Sequence, residues 1–150
     1  MKNYQSFSSE ETKKFGEKIA RNISNGGARK GAKSAFVIAL TGNLGSGKTT
    51  FVQGFLRGLG IKKRAASPTF VIMRRSSVRR GEFRNVYHVD AYRLKEAKDL
   101  AALGFGEILD NPRNLVLIEW AEKIKKILPK GTLRLKFRHC RKETERKISL

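Results

Sequence analysis

The chain has 150 residues, 39% of them hydrophobic, which suffices for one folded domain with a real core. Lys and Arg number 33 against 13 Asp and Glu, so the formal charge of +20 attracts polyanions without any specific site. No apolar run approaches the roughly 20 residues of a membrane span, and residues 1–6 lack the apolar core of a signal peptide. The single Cys140 fits a reducing compartment. We expect one cytoplasmic domain over residues 1–150, without membrane contact.

The first predicted element is a helix that begins after Ser8. Ser8 stands three residues before Glu11, the spacing of a capping box. Phe15, Ile19 and Ile23 then recur at four-residue intervals, which gives the helix one apolar face. The helix should end near residues 25–27, where Asn and two Gly follow one another.

A strand, a glycine-rich loop and a second helix come next. Residues 35–40 form an apolar run of strand length. Residues 42–50 read Gly-Asn-Leu-Gly-Ser-Gly-Lys-Thr-Thr, and apolar residues at helical spacing follow as far as Leu59. Gly60 stands where a helix commonly ends. Strand, loop and helix in this order form the context in which a phosphate-binding loop occurs.

The loop fits the P-loop pattern G-x-x-x-x-G-K-[ST], which indicates nucleotide binding. Its glycines let backbone N–H groups point at phosphate oxygens. Lys48 would reach the β- and γ-phosphates, and the Thr49 hydroxyl would bind Mg²⁺. The predicted nucleotide-binding residues of the loop are Asn43, Leu44, Gly45, Ser46, Gly47, Lys48, Thr49 and Thr50. A glycine-rich turn that binds nothing is the alternative.

Downstream, the pattern predicts a hairpin and then an irregular helical region. Residues 70–73 read as a strand, residues 74–82 as a polar turn and residues 83–89 as the returning strand. Short helical segments should extend from Tyr92 to Leu109.

The last third of the chain predicts a buried strand over residues 115–118, a helix over residues 121–128 and a half-exposed strand over residues 133–137. Residues 145–150 would form a final edge strand. Strands and helices alternate, so we predict a single α/β domain of the P-loop type. It should contain a central, mostly parallel sheet, an antiparallel hairpin portion and flanking helices.

Two carboxylates follow predicted strands directly and are candidates for catalysis. Asp90 closes the returning hairpin strand, and Glu119 closes the buried strand. Carboxyl ends of parallel strands meet on the ligand side of a sheet, so either acid is well placed to hold Mg²⁺ or orient water. The alternative for either acid is that it caps a helix. Thr69 is a candidate switch residue that senses a γ-phosphate, or part of a turn. Spacing alone favours a core position for Trp120.

Four stretches together resemble the bacterial TsaE (YjeE) family. They are the loop from Thr41 to Phe51, Ser-Pro-Thr-Phe at 67–70, Tyr-His-Val-Asp-Ala-Tyr-Arg-Leu at 87–94 and Leu-Ile-Glu-Trp at 117–120. Their order and spacing match the family from about Ser9 to Leu128. Many members have Asp at the position of Asn43, where the backbone does the binding.

The resemblance implies an Mg²⁺-dependent ATPase that works with TsaB and TsaD to form threonylcarbamoyladenosine at position 37 of tRNAs that decode ANN codons. It implies that Thr49 and Glu119 bind Mg²⁺, that Asp90 serves catalysis or supports the metal ion indirectly, and that Trp120 lies at the nucleotide. The predicted catalytic residues are Asp90, Glu119 and Lys48. The segment from Ser9 to Thr12 would approach the adenine. Contact with tRNA would be indirect, or weak and through the basic surface.

Two other functions fit parts of the sequence. A small P-loop kinase would phosphorylate a metabolite or nucleotide, with the basic segment 74–84 as its lid. A non-enzymatic RNA-binding module would use the loop only structurally, although no RNP-like or KH-like motif is present.

Overall fold

A seven-stranded sheet runs through the structure, a computed structural model that describes residues 2–26, 29–62 and 71–150. Its strands are β1 (Asn3–Ser6), β2 (Phe36–Thr41), β3 (Met73–Ser77), β4 (Asn85–Asp90), β5 (Asn114–Glu119), β6 (Leu133–His139) and β7 (Arg146–Ser149). Their order across the sheet is β1-β7-β6-β2-β5-β4-β3. The four central strands β6, β2, β5 and β4 are parallel, and the outer pairs are antiparallel. The predicted α/β class, with a mostly parallel centre, is confirmed.

Helices cover both faces of the central strands. They are α1 (Ser9–Asn25), α2 (Lys48–Gly58), α3 (Lys98–Ala101), α4 (Phe105–Asp110) and a 3-10 helix (Ala121–Ile127). On one face, α1 and α2 enclose a core with Leu40, Leu117 and Phe137. On the other face, α3, α4 and the 3-10 helix enclose a second core with Ala39 and Ile118. Within the described ranges, no helix has the length and hydropathy to cross a bilayer.

The capping signals at both ends of the helical sequences are confirmed. The Ser8 side chain accepts a hydrogen bond from the Glu11 N–H at 3.1 Å, and the Glu11 carboxylate accepts one from the Phe7 N–H at 2.8 Å. At the end of α2, Gly60 has φ +78°, and the Ile61 N–H donates to the Leu56 carbonyl at 3.0 Å. This is a Schellman motif, which satisfies helix carbonyls that lack an intrahelical partner.

The terminal strands differ from the prediction. Residues 146–149 form a strand as expected, but this strand lies inside the sheet because β1 pairs with it in register Tyr4↔Ile148. Strand β1 was not predicted, because residues 3–6 are too few to show the alternation of polar and apolar residues that indicates a strand. Tyr4 stacks on Phe15 of α1 with ring centroids 4.0 Å apart. This ring contact with α1 and the pairing with β7, which is distant in sequence, hold β1 in place.

The hairpin is confirmed, but its first strand was predicted too early in the chain. Strand β3 runs from Met73 to Ser77, so the first part of the predicted turn at residues 74–82 is strand. Antiparallel pairing with β4 sets these bounds, and it places Arg75 opposite Tyr87. Phe70 lies outside the described residues. The segment from residue 121 is helical as predicted, but it forms 3-10 turns with a non-helical φ of −123° at Ile124.

Small residues let α1 and α2 pack closely. A Cβ at Gly54 would lie 2.0 Å from the Lys13 carbonyl oxygen, and one at Gly16 would lie 2.4 Å from the Phe51 carbonyl oxygen. Arg57 on α2 also pairs with Glu10 and Glu17 on α1. Because α2 follows directly on the glycine-rich loop, this packing fixes where that loop leaves the sheet.

We expect Gly54→Ala to destabilise the protein, because the added methyl group meets the backbone of α1 and the helices must move apart. Overpacking of this kind costs about 1–3 kcal/mol. The matched control is Gly106→Ala in α4, where a Cβ meets nothing within 4 Å and should be neutral or slightly stabilising. Urea denaturation measures both free energies of unfolding. Equal stability of Gly54→Ala and wild type would show that the two helices are not in close contact.

Candidate functional site

The loop between β2 and α2 is shaped by three glycines with positive φ. Gly42, Gly45 and Gly47 have φ of +141°, +72° and +100°, which side chains rarely permit. Gly42 is also confined by space, since a Cβ there would lie 2.4 Å from the Phe137 carbonyl oxygen of β6. The first N–H groups of α2 have no acceptor within the helix. The loop therefore presents backbone donors and a helix N-terminus, a combination that suits an anion.

Lys48, the first residue of α2, is held within the loop. Its ammonium donates to the carbonyl oxygens of Gly42 at 2.6 Å and Asn43 at 3.0 Å. The residue is only 4% exposed. Burial lowers the pKa of Lys48 from its ordinary value, while the negative charges of Glu119, Glu122 and Asp90 act to raise it. The loop therefore holds a cation, the Lys48 ammonium, that is largely removed from solvent.

Glu119 links three elements through its two carboxylate oxygens. Oε2 accepts a hydrogen bond from the Thr49 hydroxyl of α2 at 2.7 Å. Oε1 lies 2.7 Å from Nε2 of His88 on β4. Glu119 and His88 are 2% and 3% exposed. Sequence reasoning assigned no role to His88. The signal that could have found it is its two-residue spacing from Asp90, which puts both side chains on one face of β4.

Asp90 lies beside Glu119 because β4 and β5 pair in parallel, with the two acids at opposing register positions. Its Oδ1 accepts a hydrogen bond from the Tyr92 N–H at 3.0 Å. Asp90 is 9% exposed. Asp90 thus ends β4 and shapes the turn that follows. Strand β5 lies between β4 and β2, the strand that leads into the loop.

Trp120 is held in an unusual conformation next to the loop. Its φ of +58° lies in the left-handed region, which a bulky residue rarely adopts. The Lys48 ammonium lies 4.0 Å from the centroid of the Trp120 ring, and the Tyr92 ring centroid lies 4.9 Å away. Trp120 packs against the second core, as spacing alone favours, but it is only partly buried. Backbone strain of this kind concentrates at functional sites.

A cavity of about 340 Å³ opens over the loop. It is lined by Ser9, Thr12, Leu44, Gly45, Ser46, Gly47, Lys48, Thr49, Thr50, Glu119, Trp120, Glu143, Thr144 and Arg146. The predicted residues Asn43 and Asp90 are not among these described lining residues. The β6–β7 hairpin also lines the cavity, through Glu143, Thr144 and Arg146. This could not be predicted from the sequence, because the hairpin reaches the loop only through the pairing of β6 with β2 in the sheet.

Two further expectations concern metal binding and the switch. Within the described ranges, no group of three or more His, Cys, Asp or Glu side chains is arranged to hold a metal ion. A metal ion at this site would therefore take its oxygen ligands from Thr49, from Glu119 and from a bound ligand. Thr69 lies outside the described residues, and its assignment as a switch stays a prediction.

Comparisons with known proteins point to one family. The family model for "Threonylcarbamoyl adenosine biosynthesis protein TsaE" matches residues 6–148. The tRNA threonylcarbamoyladenosine biosynthesis protein TsaE of Haemophilus influenzae is 32% identical over 120 residues, which cover 80% of this chain and 71% of that protein. The namesake protein of Treponema pallidum is 32% identical over 131 residues, 87% of each chain. The crystal structure of YdiB from Bacillus subtilis superposes with a TM-score of 0.72 at 30% identity, covering 98% of this chain and 82% of that one.

We expect His88→Ala to cost about 1–3 kcal/mol of stability, because it leaves a buried oxygen of Glu119 without its partner. The control is His139→Ala, the other histidine of the chain, which is exposed and lies 3.0 Å from the Leu44 carbonyl oxygen, so its loss should cost no more than about 1 kcal/mol. Urea denaturation compares the two variants. Similar losses for both would mean that the contact between His88 and Glu119 contributes little.

Proposed function

Because the chain belongs to the TsaE family, we propose that it is an ATPase that takes part in forming threonylcarbamoyladenosine on tRNA. The observation that carries the proposal is the meeting of Lys48, Thr49 and Glu119 at one cavity over the glycine-rich loop. An ammonium, a hydroxyl and a carboxylate in this arrangement match the parts that phosphoryl chemistry needs.

The phosphates of ATP would lie over the loop, where the backbone N–H groups of residues 43–50 and the N-terminus of α2 favour negative charge. The Lys48 ammonium is already desolvated, and it donates to the oxygens of neutral carbonyl groups. A phosphate oxygen would be a stronger, charge-assisted acceptor for its ammonium. Trp120 and Ser9 line the same cavity and are the proposed contacts of the remainder of the nucleotide.

The residues present fit a magnesium ion that is bound together with phosphates. Mg²⁺ takes oxygen ligands and usually depends on one or two protein groups plus phosphates and waters, rather than on a protein cage. Thr49 and Glu119 supply one hydroxyl and one carboxylate within 2.7 Å of each other. They would hold the ion, which neutralises charge on the phosphates when bound.

The chain's own groups would orient the attacking water. Glu119 is fixed by His88, so its carboxylate keeps one position relative to the loop. Asp90 adds a second negative group at the neighbouring register position. Carboxylates held in this way can accept hydrogen bonds from water and set its direction of attack. The two acids would differ in role because Glu119 lines the cavity, whereas Asp90 lies beside Glu119 on the neighbouring strand and is not among the described lining residues.

TsaB and TsaD are the proposed partners, and hydrolysis would act as a switch on their association. Only different affinities of the ATP and ADP states for the partners can shift such an equilibrium. Thr69 is the proposed sensor of the γ-phosphate on grounds of sequence, since it follows the helix that begins at Lys48. The protein would act in the cytoplasm, where tRNA is modified.

We expect Lys48→Ala to weaken ATP binding by at least about tenfold, because a charge-assisted contact to phosphate is lost. The control is Lys125→Ala, which removes the same charge from an exposed position on the 3-10 helix. Isothermal titration calorimetry with Mg-ATP measures both affinities. Unchanged affinity in Lys48→Ala would rule out nucleotide binding at this loop.

We expect Glu119→Gln and Asp90→Asn each to lower ATP hydrolysis by about 10²-fold, because carboxylates that position water typically contribute on this scale. The control is Glu122→Gln, an exposed acid close to the same site. Phosphate release is measured with and without TsaB and TsaD. Full partner-stimulated activity in a variant would make that acid structural, and transfer of phosphate to a metabolite instead of water would favour a kinase.

A further inference from the structure

One face of the sheet carries exposed cations along β6 and β7. On β6, Leu135 and Phe137 are buried against α1 and α2, and the alternate residues Arg134, Lys136 and Arg138 point to the other face. All three are exposed. Lys147 of β7 is exposed as well, and it lies directly opposite Arg138 in the antiparallel pair. We call these four side chains the β6–β7 basic face.

The surroundings of the basic face are polar and contain no acid on the neighbouring strand. Lys147 lies opposite Gln5 of β1, and Lys136 lies opposite Ser149, which in turn faces Asn3. The two neutral residues of β1 are exposed. The positive charges therefore continue into a flat, hydrogen-bonding surface at this end of the sheet.

No carboxylate neutralises the four cations within the described part of the chain. Ion pairs do occur elsewhere, as between Arg57 and Glu10 or between Lys142 and Glu145. Arg134, Lys136, Arg138 and Lys147 have no such pair there, although like charges side by side on adjacent strands repel one another. An arrangement that costs energy in the free protein points to a partner that supplies negative charge.

Helices leave this end of the sheet face open. Over the central strands, the same face holds Ala39, Val116 and Ile118, all completely buried beneath the second core. Arg134 is the register neighbour of Ala39, and it is exposed. The covering layer therefore ends between β2 and β6, and a ligand can lie flat against the strands beyond it.

We propose that the β6–β7 basic face binds the phosphodiester backbone of RNA. Strand geometry spaces alternate residues by roughly 6.6 Å and neighbouring strands by roughly 4.8 Å, which gives a regular grid of donors for a chain of single negative charges. A protein partner would need an apolar centre to bury, and these four positions offer none. The face also lacks aromatic side chains for stacking on bases, so the contact is independent of base sequence. The choice of RNA over DNA rests on the proposed function.

The experiment compares two variants that each lose four positive charges. The face variant carries Arg134→Gln, Lys136→Gln, Arg138→Gln and Lys147→Gln. The control variant carries Lys14→Gln, Lys18→Gln, Lys30→Gln and Lys33→Gln, all exposed positions outside the face. Binding of an unmodified, ANN-decoding tRNA transcript is measured by fluorescence anisotropy over a range of salt concentrations, without ATP or partner proteins.

We expect the slope of log affinity against log salt to fall in magnitude by about 3 in the face variant, because each lost phosphate contact removes about 0.7–0.9. The control variant should keep the wild-type slope. The pair Arg138→Gln and Lys147→Gln should show half of the effect, which keeps the test available if the fourfold variant does not fold. Arg134→Lys with Arg138→Lys preserves charge and should bind as wild type does.

Equal losses in the face and control variants would overturn the proposal, since binding would then follow total charge. Displacement of the tRNA by polyglutamate as readily as by competitor RNA would also overturn it, in favour of an acidic protein. ATP hydrolysis by the face variant should be unchanged. A failure of RNA binding is therefore distinguishable from a failure of the ATPase, which Lys48→Ala tests separately.

Discussion

The parallel pairing of β2, β5 and β4 is the constraint on which the site depends. Leu40 pairs with Glu119, and Glu119 pairs with Asp90, so three strands end side by side at one edge of the sheet. The glycine-rich loop leaves β2 at that edge. A shift of one register position would turn Glu119 toward the opposite face and separate it from Thr49 and His88. Hydrophobic residues on both faces fix the register, because each slip would expose them.

Around that edge, a small set of buried polar groups satisfies one another. The Lys48 ammonium is bound by loop carbonyls and faces the Trp120 ring, while Glu119 is bound by Thr49 and His88. Such groups are costly to bury without partners. Their mutual contacts keep the loop and the carboxylate in fixed relative positions. A phosphate group would give the Lys48 ammonium a charge-assisted acceptor in place of these carbonyl oxygens.

The two ends of the sheet differ in how they are covered, and this divides the protein into two chemical surfaces. At the centre, helices bury both faces and leave only the carboxyl edge for polar chemistry. At β6 and β7 the helices of the described ranges leave one face uncovered, and the exposed alternate residues are cationic. The β6–β7 hairpin also supplies Glu143, Thr144 and Arg146 to the cavity wall. The β6–β7 hairpin thus contributes residues to both surfaces.

Elements whose signals are local could be predicted from the amino-acid sequence. The cap at Ser8, the glycine-rich loop, the helix end at Gly60 and the apolar run before Glu119 depend on near neighbours, and each was predictable. Tertiary structure alone decided that β1 covers the outer edge of β7 and that β3 begins only at Met73, because strand pairing with distant residues selects those bounds. It also decided the roles of His88 and Trp120. The contact of His88 with Glu119 on the neighbouring strand, and the left-handed backbone at the bulky Trp120, follow from packing that no local pattern records.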